Sequence, residues 1–396
     1  MMALPQGFRL AAAAADFRGK GKTRDDLALV ISERPAAAAG VFTTNLFRAA
    51  PVLVAQENLT RAPEGIRGIL INSGQANACT GEEGLAHCRE TLDMAAKAAG
   101  VDAGSLLPAS TGVIGALMDM DKWRAAMPDL AASLGHADLE RFARAIMTTD
   151  AFPKLAEAEL ALDGGTVRLA GVAKGAGMIC PNMATMISLV LCDADVDAAA
   201  WRSMFRRAAD ATFNRVSVDG DTSTNDSLFG LANGASGIRV TEGELPLLEE
   251  ALTDILGDLA YMLVKDGEGA TKVMHISVTG AASDADAERV ARTVGHSQLV
   301  KTAMFGRDPN WGRIVAAAGR SGATFDPDRL RVTLCGVTLF HDGRPTTEDF
   351  DALLREPLDG TDVTLDISLG DGPGAARLLA SDLSHAYVSL NADYRS

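Results

Sequence analysis

The chain has 396 residues and a formal net charge of −15; 47% of its residues are hydrophobic and 22% are charged. This length is enough for two or three packed units, and the composition is typical of a globular protein. The acidic balance argues against a protein that follows nucleic-acid phosphates or attaches to an anionic membrane surface. It does not exclude a small anionic ligand, because one or two cations in a pocket are enough to bind one.

The cysteines and the apolar runs narrow the class of protein further. The five cysteines are scattered and form no CxxC pair, which argues against a disulfide framework or a structural zinc site. No apolar run reaches the length of a membrane span, and the run from Ala11 to Ala15 is too short for a signal-peptide core. We predict a cytoplasmic protein with reduced thiols and with no membrane partner, nucleic-acid partner, metal or cofactor.

Apolar runs bounded by turn residues predict strands, and segments with a period of about 3.6 residues predict helices. In chain order the predicted elements are strands Leu27–Ile31, Pro51–Ala55 and Gly68–Ile71, helices Glu82–Ala99 and Asp119–Leu134, strand Met186–Leu191, helices Asp197–Ala211 and Glu242–Lys265, strand His275–Val278, helix Ser283–Val294, and strands Leu330–Phe340 and Val363–Ile367. Strands and helices do not alternate strictly, which favours an α+β arrangement of mixed sheets covered by helices.

The most marked local feature is a glycine-rich stretch, Gly171–Leu191, that runs into an apolar strand. A bend at Pro181 and Asn182 ahead of Thr185 could strain the Ala184–Thr185 peptide bond and open its carbonyl to the Thr185 hydroxyl. An N-to-O acyl shift followed by hydrolysis would then cut the chain. The freed α-amino group, with an ordinary pKa of about 8, could act as the base for the hydroxyl. From composition alone, a packed turn before a strand is the more common explanation of such a stretch.

Other catalytic patterns are not supported. Gly19–Thr23 is similar to the end of a phosphate-binding loop, but Asp16 stands where that loop needs glycine. The six histidines show no metal-ligand spacing, and there is no GxSxG nucleophile elbow.

The stretch Lys174–Met186 closely resembles the cleavage-site motif of the ornithine acetyltransferase family, in which a KG(A/S)GM-x-x-PNMATM run is cut before its threonine. Further matches follow in family order along nearly the whole chain: Val41–Asn45, Ile71–Gly81, Ser110–Gly115, Met147–Asp150, Ser217–Asp226, Asp266–Lys272, Phe305–Arg313 and Asn391–Arg395. The resemblance implies an αββα-type sandwich shared with self-processing aminopeptidases and amidases, with smaller α/β subdomains toward the C-terminus. It also implies an α piece of residues 1–184 and a β piece of residues 185–396 in an α2β2 assembly.

Members of this family move an acetyl group from N2-acetylornithine to glutamate. The resemblance therefore implies a ping-pong reaction in which Thr185 is acetylated in between. Whether acetyl-CoA is also a donor stays open, because bifunctional and monofunctional members share the same core residues. Two other functions also stay open: a self-cleaving aminopeptidase or amidase, in which water takes the acyl group, and a non-catalytic binding protein for acetylated amino acids.

The resemblance also assigns roles to individual residues. Thr185 is the nucleophile, and Ala184 precedes it at the cleaved bond. Thr111 and Gly112 match the oxyanion hole, where a close backbone N–H and a hydroxyl donor are needed. The remaining matches are substrate-binding positions: Thr148 or Thr149, with the register open, and Lys174, Glu268, Asn391 and Ser396. Lys174 suits a substrate carboxylate, and Glu268 suits a substrate ammonium or the Thr185 amine.

The chain departs from the family pattern at a few positions. They are Gln75 and His296 in place of asparagine, Ala151 in place of threonine, Ala116–Asp119 in place of a proline-containing sequence, and Ser396 in place of threonine. None touches the nucleophile or the oxyanion pair. The changes near Gly115 could alter the shape of the pocket and the choice of acyl donor.

Overall fold

The computed structural model describes residues 3–19, 21, 24–180 and 186–393. They form two compact units. The first contains the described residues up to Asn214 together with Asp221–Leu263, and the second contains Arg215–Gly220 and the described residues from Val264 onward. Within these ranges no helix is both long enough and apolar enough to cross a membrane.

The secondary-structure elements are numbered along the chain. The first fourteen are β1 (Phe8–Ala13), β2 (Leu27–Phe42), α1 (Ala50–Arg61), β3 (Ile66–Gln75), α2 (Gly81–Ala99), β4 (Leu106–Val113), α3 (Met120–Ser133), α4 (Leu139–Ile146), β5 (Lys154–Leu162), β6 (Gly165–Lys174), β7 (Ile187–Cys192), α5 (Ala198–Ala211), β8 (Val216–Ser217) and β9 (Ser227–Ala232). The others are α6 (Leu245–Lys265), β10 (Val273–Gly280), α7 (Asp284–Gly295), α8 (Gln298–Phe305), α9 (Trp311–Gly319), β11 (Arg331–Leu334), β12 (Val337–His341), β13 (Arg344–Pro345), α10 (Phe350–Leu354), β14 (Asp362–Ser368), β15 (Gly372–Ser381) and α11 (His385–Asp393).

The sheet of the first unit has two halves that share the long strand β2. Its strand order is β4-β3-β2-β9-β7-β6-β5, and β1 also pairs with β2. The beginning of β2 pairs with β3 and its end pairs with β9, with a register shift between Ile31 and Ala36. Ile71 from one half and Val172 and Leu189 from the other belong to one hydrophobic core cluster. The two half-sheets therefore pack face to face.

Helices cover the outer face of each half-sheet. Buried side chains of α1, α2 and α3 form a second core cluster with the outward-facing residues of β2 and β3. On the other half, Phe205 of α5 packs against Gly230, and Ile255 and Leu259 of α6 pack against Gly171. The layer order is helix, sheet, sheet, helix, which confirms the predicted αββα-type sandwich and its α+β class.

The second unit contains a seven-stranded mixed sheet of order β13-β12-β11-β14-β10-β15-β8. Strand β10 of this sheet is parallel to β14 and antiparallel to β15. Side chains of α7 and α9, including Val290, Val294 and Ile314, complete its core. This unit corresponds to the predicted smaller α/β part toward the C-terminus.

The predicted strand Pro51–Ala55 is wrong, because these residues lie in α1. Proline stands at the start of this helix, where its missing N–H is not needed. The buried residues Val52, Ala55 and Asn58 recur at helical spacing. The five-residue apolar run was too short to distinguish a strand from a buried helix turn.

The predicted strand Leu330–Phe340 is also wrong as a single element. The chain forms the hairpin of β11 and β12 there, with a turn at Cys335 and Gly336 whose φ angles are 47° and 81°. Two successive positive φ values are the signature of a tight hairpin turn. Each of the other ten predicted elements lies in one observed strand or helix of the predicted kind and extends past its ends by at most three residues. Some observed elements are longer than predicted, such as β2, which continues to Phe42.

Candidate active site

Three predicted site residues meet where β4 and β6 end. Lys174 is the last residue of β6 and is 3% exposed. Its Nζ donates to Thr148 Oγ1 at 2.8 Å and to Thr111 Oγ1 at 3.2 Å. The hydroxyl of Thr148 therefore reaches the lysine, whereas Thr149 is exposed. Of the two positions left open by the sequence, Thr148 is the one that belongs to this cluster.

Gly112 lies beside Thr111 at a point where only glycine fits. Its φ is +137°, and a Cβ built on it would stand 2.2 Å from the carbonyl carbon of Gly74. Gly74 and Gly112 are register partners in the parallel pair β3–β4. Asn225 ties these two strand ends together by donating through Nδ2 to the carbonyls of Ala76 (2.6 Å) and Ser110 (2.8 Å). These contacts hold the end of β4, which carries Thr111 and Gly112, against the end of β3.

A buried carboxylate, Asp150, organises the base of the cluster. Its Oδ1 accepts from Lys154 Nζ at 2.8 Å and from the Gly175 N–H at 2.6 Å, and its Oδ2 accepts from the Thr148 N–H at 2.9 Å. Burial would raise the pKa of Asp150, but the ammonium groups of Lys174 and Lys154 hold it well below its usual range. Asp150 is therefore ionised at neutral pH.

A second buried carboxyl contacts the chain just after the predicted nucleophile. Met186 follows Thr185 in the sequence, and its N–H donates to Asp226 Oδ1 at 2.8 Å. Burial raises the pKa of Asp226 well above its usual range, and this outweighs the opposing effects of the Met186 N–H and of Lys174. The direction of this shift favours the neutral carboxylic acid form of Asp226.

If Asp226 is protonated, the protein should tolerate its replacement by asparagine. Asp226→Asn should keep most of the chain cleavage and acetyl transfer, because an amide has the shape of the neutral acid and still accepts from Met186. Asp226→Leu, of similar size, should lose both, since it leaves the Met186 N–H without an acceptor at a cost of roughly 1–3 kcal/mol. Gel analysis of cleavage and a turnover assay on both variants check this. Equal losses of cleavage and turnover in the two variants would mean that the protein needs the ionised carboxylate of Asp226.

Two predicted residues of the second unit also contact each other. Glu268 Oε2 accepts from Asn391 Nδ2 at 2.9 Å, and the same Nδ2 donates to the Tyr387 carbonyl at 3.0 Å. Asn391 lies in α11, the last described helix. The predicted residues Ala184, Thr185 and Ser396 lie outside the described residues.

Two of the sequence departures contact each other. The Gln75 side chain donates to the Leu117 carbonyl at 3.3 Å and accepts from the Asp119 N–H at 3.1 Å. Gln75 thus anchors the segment that replaces the proline-containing sequence. Gln75 and the segment Ala116–Asp119, which both depart from the family pattern, therefore form one local structure.

No sequence pattern assigned a role to Asp150, Lys154, Asn225 or Asp226. Asp150, Asn225 and Asp226 do lie within motifs that carry the resemblance, so the motifs were a usable signal. Lys154 lies outside every motif, and an isolated lysine is normally expected on the surface. Its burial is known only from the structure.

Comparisons with known proteins agree with this arrangement. The ArgJ family model matches residues 9–396. The arginine biosynthesis bifunctional protein ArgJ of Nitratidesulfovibrio vulgaris is 66% identical, with both chains covered in full. The protein of the same name from Geobacter sulfurreducens is 47% identical over 99% of each chain.

Solved structures of similar sequence are found as well. The argJ protein of Bacillus halodurans is 34% identical, covering 51% of this chain and 96% of that one, with a TM-score of 0.49. Ornithine acetyltransferase of Mycobacterium tuberculosis, solved with ornithine, is 39% identical, covering 46% and 93%, with a TM-score of 0.41. The family match spans nearly the whole chain, and the curated relatives align end to end. The chain therefore belongs to the ArgJ family of bifunctional arginine-biosynthesis proteins.

Proposed function

We propose that this chain is a self-cleaving ornithine acetyltransferase that moves acetyl from N2-acetylornithine to glutamate through an acetylated Thr185. The observation that carries the proposal is the buried Lys174 ammonium on the hydroxyls of Thr111 and Thr148. In the sheet, Lys174 is the register partner of Ile187, two residues after Thr185. The lysine thus lies on β6, next to β7, the strand that the proposed nucleophile precedes in the sequence.

The cluster supplies what acyl transfer needs. Because the Lys174 ammonium donates to the Thr111 oxygen, the Thr111 hydroxyl keeps its own proton for donation to a developing oxyanion. The Gly112 N–H is the second donor in this scheme. Lys174 carries the charge for a substrate carboxylate.

In the proposed maturation the Thr185 hydroxyl attacks the Ala184 carbonyl, and the amide becomes an ester. Water then hydrolyses that ester, which leaves a carboxylate on Ala184 and a free amine and hydroxyl on Thr185. The products are the pieces 1–184 and 185–396, two of each in an α2β2 assembly. The pairing of β6 with β7 would hold the two pieces together after the cut.

In the proposed turnover the Thr185 amine takes the proton of its own hydroxyl as the hydroxyl attacks the acetyl carbonyl. Ornithine leaves with that proton, and Thr185 holds an acetyl ester. The glutamate amine then attacks the ester, and N-acetylglutamate leaves as the Thr185 hydroxyl is regenerated. No cofactor enters either half-reaction.

The test is the dependence of ornithine release on glutamate. Without glutamate we expect about one ornithine per active site, because acetyl-Thr185 accumulates; with glutamate, release continues and matches N-acetylglutamate. Sustained release without glutamate would show that water accepts the acetyl group and that the chain is an amidase. Binding with no release at all would indicate a binding protein. Supplying acetyl-CoA in place of N2-acetylornithine shows whether it is a second donor.

A further inference from the structure

Two buried lysines share one buried carboxylate behind the predicted site. The side chains of Asp150 and Lys154 are 0% exposed, and that of Lys174 is 4% exposed. Lys154 Nζ lies 2.8 Å from Asp150 Oδ1, and Lys174 Nζ lies 3.9 Å from Asp150 Oδ2. Asp150 thus faces two buried ammonium groups. A buried ammonium is costly unless a carboxylate lies near it.

The groups that face Lys174 determine whether it stays protonated. Burial lowers the pKa of Lys174, Asp150 opposes this, Lys154 and Arg18 lower the pKa further, and Asp226 opposes it. Burial raises the pKa of Asp226, which favours its neutral form and weakens its support for the Lys174 charge. Asp150 is therefore the ionised carboxylate on which the charge of Lys174 depends among these described residues. Arg18 lies nearby and donates through Nη1 to the Thr148 carbonyl at 3.5 Å.

Asp150 also fixes the backbone on both sides of the lysine. One of its oxygens accepts from the Thr148 N–H and the other accepts from the N–H of Gly175, the residue that follows Lys174. A single side chain thus holds the segment that carries one hydroxyl partner of Lys174 and the segment that carries Lys174 itself. This is the kind of support that keeps a reacting group within a fraction of an ångström of its working position.

We propose that Asp150 is a positioning residue for acetyl transfer, which holds Lys174 charged and directed at the hydroxyls of Thr111 and Thr148, with Lys154 as its second counter-ion. The charge of Lys174 is then available to the carboxylate of the substrate. The inference rests on the proposed function, because it assigns a support to the lysine of that site. It extends the site to Lys154, whose Nζ also lies 5.1 Å from the centre of the Phe152 ring.

The test compares two substitutions with opposite electrostatic effects. In Asp150→Asn the Lys174 ammonium loses its counter-ion, so the loss of kcat/KM at high pH should move to lower pH by about one unit or more. In Lys154→Met the repulsion on Lys174 is removed, and the same limb should move to higher pH. Glu140→Gln is the matched control, because it removes a carboxylate from an exposed pair with Arg144 and should leave the profile unchanged.

The outcomes separate positioning from simple loss of structure. Opposite shifts in the two variants support the proposal, whereas profiles that superimpose on the wild-type profile after scaling overturn it. If Asp150→Asn does not fold, Lys154→Met decides alone, and an unmoved limb overturns the proposal.

A crystal structure of each variant provides a readout that does not depend on turnover. We expect the hydrogen bond from Lys174 Nζ to the Thr111 hydroxyl to be lost in Asp150→Asn and retained in Lys154→Met. If Nζ stays on both hydroxyls in Asp150→Asn, the positioning role is refuted. An inactive wild-type protein with the expected structural changes would instead contradict the proposed function and leave only the role of Asp150 in orienting Lys174.

Discussion

Thr185→Ala is expected to leave one uncut chain that transfers no acetyl group, whereas the wild-type protein should yield two fragments, the second beginning at Thr185. The variant lacks the hydroxyl that makes the intermediate ester during cleavage, and it lacks the nucleophile of turnover. Loss of a covalent nucleophile lowers kcat by about 10⁶-fold in a serine protease, so the expected effect is among the largest a single change can have. Intact mass spectrometry and N-terminal sequencing of both proteins measure it.

Thr185→Ser is the matched control, since it keeps a hydroxyl at the same position. It should still be cut and should retain measurable acetyl transfer. Fragments from the alanine variant at the Ala184–Thr185 bond would refute self-cleavage by this hydroxyl. Cleavage of the serine variant without any turnover would separate maturation from catalysis and would show that the methyl group of threonine is needed only for the second.

Gly112→Ala is expected to abolish most acetyl transfer, by about 10²–10³-fold in kcat, the range seen when one oxyanion-hole donor is removed. The added Cβ would overlap the carbonyl carbon of Gly74 at 2.2 Å and its oxygen at 2.5 Å. Both are backbone atoms, so they cannot turn away as a side chain could. The ends of β3 and β4 would have to separate, and Thr111 and Gly112 at the end of β4 would move with them. Turnover of the cleaved variant and its melting temperature provide the measurement.

Gly115→Ala distinguishes this overlap from backbone strain. Gly115 also has a positive φ, +89°, but a Cβ built there meets nothing within 4 Å. Alanine at a positive φ costs about 1–2 kcal/mol, so this variant should melt at a lower temperature and yet keep most of its kcat. Equal losses of kcat in the two variants would contradict the steric argument.

The sequence predicted the helices of this fold better than its sheets. Helix α2 buries residues such as Cys88, Leu92 and Ala95 on one face. This spacing is a local property of the sequence and can be recognised without knowing the fold. The sharing of β2 between two half-sheets is not visible there, because its partners β3 and β9 lie at very different distances along the chain. Periodicity therefore predicted the class of the fold, and the family motifs predicted its layers.

The candidate site shows the same limit at the level of single residues. Motifs predicted Thr111, Gly112, Lys174 and one of the two threonines Thr148 and Thr149. The described structure brings the first three together with Thr148. No pattern predicted that Lys154 is buried, because its burial requires the carboxylate of Asp150 at 2.8 Å. Charge balance inside a protein depends on contacts made in three dimensions, which neither residue reveals alone.

The antiparallel pair β6–β7 affects whether the protein could refold after the proposed cleavage. Its six residue pairs run from Leu169 with Cys192 to Lys174 with Ile187, and they would lie on opposite sides of the proposed cut. Before the cut, one continuous chain joins β6 and β7 and keeps them at a high effective concentration, so they can pair again after unfolding. After it, reassembly becomes a bimolecular, concentration-dependent event. The mature enzyme would then persist through slow unfolding rather than through ready refolding, and its two pieces could be produced as separate polypeptides and mixed.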